Sequence, residues 1–297
     1  MKPVVMRNSG ILHFLNCFLG LGSERIKRMI HWNASPEIVQ IGPFALRWYG
    51  VLFATSFFLG YRICGNLFKK AGLTLAQLDR LFVAMFIGTL AGARLGHCLF
   101  YEPEIYLADP IRIFKIWEGG LASHGAVLGI LSALYFYGRR EQKLAGKKGT
   151  VITPLWALDC VTQGVALASC LIRVGNFFNS EIIGRPSTVP WAVVFERIDR
   201  VPRHPAQLYE SMTYLVLFIL LTAISGKPRA RLGSGVLFGT FLAYAFSARI
   251  VLETFKENQV SFENGMLLNM GQLLSIPAAA AGVYFVVRGL KKSGTTQ

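Results

Sequence analysis

The stretch VITPLWALDCVTQGVALASCLIRVGNFF, residues 151–178, runs for 28 residues with only two charged side chains, Asp159 and Arg173. A helix needs about 20 mostly apolar residues to cross about 30 Å of hydrocarbon, so this stretch reads as a transmembrane span. Working outward from it, six further stretches read the same way: about 43–65, 80–101, 119–138, 210–225, 233–255 and 267–288. The expected fold class is therefore all-α, a polytopic membrane protein with about seven transmembrane helices. Composition agrees: 53% of the 297 residues are hydrophobic and only 16% charged, against about 25% charged in a typical soluble domain. Gly88, Gly92 and Gly96 recur at four-residue spacing in the second span, the interval that lets helix backbones approach closely.

The net charge of +15 raises nucleic acid as a partner, but that needs a continuous basic face. Here the basic residues fall in short clusters between apolar runs. Arg62, Lys69, Lys70 and Arg80 flank the first connection, Arg139, Arg140, Lys143, Lys147 and Lys148 fill the third, and Lys227, Arg229 and Arg231 the fifth. The second connection instead mixes Glu102, Glu104, Asp109 and Glu118 with Arg112 and Lys115. By the positive-inside rule the odd connections and the C-terminus are cytoplasmic and the N-terminus is periplasmic. No nucleic acid is expected as a partner; the lipid bilayer is.

Residues 1–28 oppose that orientation, since Lys2, Arg7, Arg25, Lys27 and Arg28 resist translocation. The reading is a basic extension ahead of a start at Met29, which leaves Glu37 as the only charge before the first span; the alternative is an interfacial amphipathic extension. Residues 29–297 then form a single integral membrane domain with a long periplasmic segment at about 179–209. Cys17, Cys64, Cys98, Cys160 and Cys170 form no CxxC pair and read as small buried hydrophobes, with no metal site indicated.

Ionisable groups inside hydrocarbon are costly and mark functional sites by default. With the orientation set, Arg94, Arg173 and Arg249 fall in the outer parts of spans two, four and six. His124, and then His204, Gln207, Tyr209 and Glu210, open spans three and five at similar depth. Arg47 beside Trp48 and Tyr49 reads as an interfacial anchor, and Asp159 as an ordinary helix-end or interhelical partner near the cytoplasmic face. Arg173, Asn176 and Ser180 share a helix face, with Asn179, Glu181, Gly184 and Arg185 at and beyond its end, and Arg249 and Glu253 are spaced to pair. Guanidinium donates two parallel hydrogen bonds and suits phosphate. A cationic pocket at headgroup depth therefore suits an anionic phospholipid, whether for chemistry, for transport or for binding alone.

The run Arg173-Val-Gly-Asn-Phe-Phe-Asn179-Ser-Glu181-Ile-Ile-Gly184-Arg185 resembles the signature of the prolipoprotein diacylglyceryl transferase family. Supporting matches are Arg47-Trp48-Tyr49-Gly50, Gly92-Ala-Arg94-Leu-Gly96, Trp117 to Gly125, Arg203 to Glu210, Arg249 with Glu253, and Met270-Gly271-Gln272. The run departs from the family pattern at Ile172, at Gly125-Ala126 and after Glu253, where Lys256-Glu257-Asn258-Gln259 replaces an arginine and Pro-Asp. The resemblance implies transfer of an sn-1,2-diacylglyceryl group from phosphatidylglycerol to the lipobox cysteine of a prolipoprotein signal peptide in the bacterial inner membrane, with no metal or organic cofactor. It implies catalytic roles for His124, Arg173 and Arg249. Substrate contacts are implied for Tyr49, Arg94, Asn176, Asn179, Glu181, Gly184 and Glu253.

Overall fold

The computed structural model describes residues 29–42, 44–116, 119–227, 230–257 and 267–294. The expectations for residues 1–28 lie outside them. In chain order the elements are β1 (Ile30–Trp32), β2 (Glu37–Ile41), β3 (Phe44–Arg47), α1 (Trp48–Lys70), α2 (Leu75–Phe100), α3 (Pro103–Ala108), α4 (Ser123–Ala145), α5 (Pro154–Asn179), β4 (Val193–Phe195), β5 (Pro202–Arg203), α6 (Ala206–Ser225), α7 (Val236–Leu252) and α8 (Met270–Gly294). The protein is a largely helical, polytopic membrane protein. Among the described residues, six helical stretches are long and apolar enough to cross a membrane: Trp48–Lys70, Leu75–Phe100, Pro154–Asn179, Ala206–Ser225, Val236–Phe255 and Met270–Lys292. The expected span at 119–138 corresponds to α4, which is not among those six. Its last turns carry Arg139, Arg140, Glu141 and Lys143, and Ser123 and His124 begin it.

The first span also starts later than expected. Residues 44–47 pair antiparallel with β2, with Ile41 opposite Phe44 and Glu37 opposite Arg47, and the helix begins only at Trp48. Gly42, at φ +59°, supplies the turn conformation that closes this hairpin. The second span starts earlier than expected because Thr74 and Gln77 form a reciprocal capping box that fixes the helix start at Leu75.

The chain separates into two compact units. One contains the described residues of Tyr61–Thr162, Ile224–Phe238 and Phe285–Gln297. In it, α2 and α4 pack backbone to backbone along Gly88, Gly92 and Gly96 on one side and Gly125 and Gly129 on the other. A Cβ added at Gly88 would stand 2.6 Å from the Ala133 Cβ and 2.7 Å from the Gly129 carbonyl oxygen. Nothing larger than glycine fits, as the four-residue spacing predicts. Asp159 is fully buried and accepts hydrogen bonds from the backbone N–H groups of Gly233 (2.9 Å), Gly235 (2.8 Å) and Phe238 (2.9 Å), so it caps the start of α7. That is the structural helix-end role expected for it. Cys64, Cys98 and Cys160 are buried in this unit and Cys170 in the other.

The other unit contains the described residues of Met1–Gly60, Gln163–Ala223 and Gly239–Tyr284. Its distinctive part is a small sheet in the order β1-β4-β5, with β1 parallel and β5 antiparallel to β4. Trp32, Ala34, Phe177, Val193 and Phe195 form the buried cluster beneath it. The Trp32 indole packs 4.3 Å from the Phe177 ring and donates to the Phe177 carbonyl at 3.1 Å. The end of α5 is thereby locked against the sheet.

Replacing Gly92 by leucine should destabilise the protein by at least about 1–3 kcal/mol through overpacking. Gly50→Ala, where an added Cβ meets nothing within 4 Å, should leave stability unchanged or slightly raised. Thermal unfolding in detergent checks both; equal midpoints for the two variants would contradict the close-packed α2–α4 seam.

Candidate functional site

The last turns of α5 carry the signature residues. Arg173 and Asn176 lie one turn apart, and Arg173 Nη1 donates to Asn176 Oδ1 at 3.3 Å. Asn176 Nδ2 in turn donates to one oxygen of Glu181 and Asn179 Nδ2 to the other, each at 3.1 Å. Glu181 can return toward the helix because of how α5 ends. The Glu181 N–H bonds the Asn176 carbonyl at 3.0 Å and the Ser180 N–H bonds the Phe177 carbonyl at 3.1 Å, a Schellman closure. Its left-handed position is held by Ser180, at φ +56°, where glycine is the usual residue, and Ile182 repeats that φ. Two non-glycine residues in this region within three positions mark a locally strained turn beside the site. A Cβ at Gly175 would lie 2.9 Å from the Tyr49 ring, so Tyr49 rests against the bare backbone of α5, within electrostatic reach of Glu181 and Arg173.

From Arg173 a line of alternating charges crosses this unit. Glu210 of α6 lies with Oε2 3.0 Å from Arg173 Nε. That oxygen has no directed hydrogen bond, so the contact is one of charge. The other oxygen of Glu210 is 2.9 Å from Lys256 Nζ, and the same ammonium is 3.1 Å from Glu253 Oε2. Glu253 Oε2 is finally 4.0 Å from Arg249 Nε. Glu210 and Lys256 are almost fully buried, with side chains 4% and 6% exposed. Charges so far from water are tolerable only when paired, because desolvation costs several kcal/mol per ion. Arg249 is 38% exposed, and its Nε is buried without a hydrogen-bond partner among the described residues. Tyr214 lies within electrostatic reach of Arg173.

The segment 184–204 braces this line. The Gly184 N–H bonds the His204 carbonyl at 3.2 Å, and the Arg185 N–H bonds the Phe255 carbonyl at 2.9 Å. Arg185 Nε donates to the Lys256 carbonyl at 2.7 Å. At Gly184 a Cβ would meet His204 Cβ at 2.7 Å and the Phe255 carbonyl oxygen at 2.9 Å, so glycine is needed for close approach. Gly271 does the same for Glu253, whose Oε1 lies 2.6 Å from where a Cβ would stand. Outside the spans, Arg203 clasps Asp199 at 2.6 Å and Glu257 at 3.0 Å, and that guanidinium holds the Asp199 carboxyl below its usual range.

Of the residues singled out in the sequence, Tyr49, Arg173, Asn176, Asn179, Glu181, Gly184, Arg249 and Glu253 gather in this unit. Arg94 and His124 belong to the other. The Arg94 side chain is buried and its donors go to backbone carbonyls: Ile113 at 2.9 Å, Lys115 at 3.1 Å, Gly120 at 3.3 Å, and those of Arg112 and Gly119. Tyr106 lies 5.0 Å from its guanidinium carbon. Arg94 thus ties together the backbone at 112–115 and at 119–120. His124 stands exposed in the first turn of α4, with no side-chain partner among the described residues. Arg47 is an exposed residue paired with Glu37 at 3.4 Å, in keeping with an anchor.

Sequence reasoning missed Lys256 and Tyr214 as members of this site, and named no carboxylate partner for Arg173. Glu210 was visible as an acid at the start of a span, but its pairing depends on helix packing. Lys256 stood in the sequence only as a departure from the family pattern.

A family model described as prolipoprotein diacylglyceryl transferase matches residues 36–288. A relative from Tolumonas auensis is 46% identical over 266 residues, covering 89% of this chain and 99% of the relative. One from Chloroherpeton thalassium is 46% identical, covering 89% and 96%, and one from Bacteroides fragilis is 39% identical, covering 89% and 97%. All three carry the name phosphatidylglycerol--prolipoprotein diacylglyceryl transferase.

Arg94→Lys should lower stability by about 1–3 kcal/mol, because a point ammonium cannot serve carbonyls spread around a planar fork and leaves some unpaired. A thermal midpoint equal to that of the parent protein would contradict this backbone-tying role.

Proposed function

The chain belongs to the prolipoprotein diacylglyceryl transferase family, and from that premise we propose that it moves the sn-1,2-diacylglyceryl group of phosphatidylglycerol onto the lipobox cysteine thiol of a prolipoprotein signal peptide. Glycerol phosphate leaves and a thioether forms, the first step of bacterial lipoprotein maturation. The observation that carries this reading is the alternating line Arg173–Glu210–Lys256–Glu253–Arg249, which ends in two guanidiniums with donors to spare among the described residues.

The reaction is a displacement at a saturated carbon. The cysteine sulfur forms the new C–S bond while the C–O bond to phosphate breaks, and the bonding pair departs with the oxygen. The phosphodiester monoanion becomes a phosphate monoester and gains negative charge at the phosphate. Donors fixed in advance where charge develops stabilise the transition state without reorganising. Arg173 and Arg249 take that role, and three cations against two carboxylates leave the line net positive. Asn176, Asn179 and Glu181 hold the end of α5 in register, Gly184 admits the brace, Glu253 places Arg249, and Tyr49 lines the headgroup contact.

The thiol, of ordinary pKa about 8.5, must also lose a proton. His124 is assigned as the base, on the ground that imidazole titrates near working pH and that His124 sits in a motif resembling the family's. Arg94 serves by tying the backbone at 112–115 to that at 119–120 instead of touching phosphate. Residues 29–297 make up the transferase, seated in the inner membrane with its N-terminus and the segment at about 179–209 on the periplasmic side. The loop charges support that orientation.

Purified protein incubated with phosphatidylglycerol and a lipobox peptide should add a diacylglyceryl mass to the cysteine. Arg173→Ala and Arg249→Ala should each slow transfer by about 10²-fold or more. Near-parental turnover by either variant would refute the phosphate assignment. His124→Gln should lower the rate at every pH; an unaltered pH–rate profile would remove His124 from the chemistry.

A further inference from the structure

We propose that Lys256 is a positioning residue for this reaction, the bridge that holds Glu210 and Glu253 away from the phosphate-facing donors of Arg173 and Arg249. The inference rests on the proposed phosphate role of the two arginines and adds to it a part for Lys256, which stands where this chain departs from the family pattern.

Lys256 stands at the middle of the charge line, with two links on either side. Its ammonium lies 2.9 Å from Glu210 and 3.1 Å from Glu253, so each carboxylate is shared between it and one arginine. The backbone delivers it from a fixed point. The Lys256 N–H bonds the Glu253 carbonyl at 3.2 Å, closing the 3-10 turn Glu253–Phe255. Its own carbonyl accepts from Arg185, and its backbone pairs with Gly184 in an antiparallel bridge. A lysine anchored from both sides cannot follow solvent outward.

The division of each carboxylate has a chemical consequence. An arginine facing a free carboxylate settles into a two-bond fork that uses two of its N–H donors. Here Glu210 stands 3.0 Å from Arg173 Nε with no directed hydrogen bond at that oxygen, and Glu253 stays 4.0 Å from Arg249. With Lys256 gone, two buried carboxylates would lose a cation each and close on the guanidiniums. They would then compete for the donors that the lipid phosphate needs. The effect falls on one substrate, because the signal peptide brings a thiol and no phosphate to these donors.

The test compares Lys256→Gln and Lys256→Met with the parent, varying phosphatidylglycerol and lipobox peptide independently. Glutamine keeps a donor for the carboxylates and so keeps the fold, while removing the charge; methionine removes both. Lys256→Gln should raise KM for phosphatidylglycerol about tenfold or more and leave KM for the peptide within about threefold. Lys256→Arg, which restores the charge, should return KM for the lipid to within about threefold of the parent. Parental KM for the lipid in a folded Lys256→Gln, or equal rises for both substrates, would overturn the proposal. Were Lys256→Met to unfold, Lys256→Gln alone would decide. Should Arg173→Ala transfer at the parental rate, the phosphate reading itself would fail, a result distinct from any outcome at Lys256.

Discussion

A guanidinium held within hydrocarbon must be matched by negative charge, yet one meant for phosphate must not be matched too well. Full neutralisation by a forked carboxylate would stabilise the fold and occupy the donors; no neutralisation would leave several kcal/mol of desolvation unanswered. On the proposed phosphate role of Arg173 and Arg249, the line from Arg173 through Glu210, Lys256 and Glu253 to Arg249 meets both demands by alternation. Its members come from α5, α6, α7 and the turn after α7, so their packing and the line depend on each other. The brace at 184–204 and the sheet that locks Phe177 fix the end of α5 from which the line starts.

The arginines of the apolar runs keep two unlike sets of contacts in this chain. Arg94 saturates its fork with backbone carbonyls and so ties two stretches of backbone together. Arg173 and Arg249 keep looser contacts, an ion pair at 3.0 Å and another at 4.0 Å. Residue type and position in the sequence do not separate these cases, since the sequence reads all three arginines at similar depth in their apolar runs. The partners do. Backbone carbonyls neither repel phosphate nor move aside for it, and their number leaves Arg94 no spare donor directed elsewhere.

Much of the architecture was legible in one dimension because hydrophobic runs and glycine spacing are local signals. The runs marked the membrane helices, and Gly88, Gly92 and Gly96 foretold the close seam with α4. The Arg173–Asn176 contact followed from helical periodicity. The strands did not show: β1, β4 and β5 are two or three residues each, and they exist because distant segments pair. The Arg173–Glu210 contact also joins two different helices, which local spacing does not register, and the nearer Glu181 is not its partner. Glu181 turned instead to Asn176 and Asn179, through a Schellman turn built on a serine that no periodic pattern foretells. Lys256 was hidden for a related reason, since a lysine near a span end reads as a snorkelling surface residue.

The central claim is that Arg173 and Arg249 act on one developing phosphate charge as a unit. A double-mutant cycle of Arg173→Gln and Arg249→Gln, read as kcat/KM for diacylglyceryl transfer, tests it most directly. The account predicts strong coupling, with the double variant losing little more than the worse single one. Losses that multiply would mean that the two arginines act on separate events, and would contradict it.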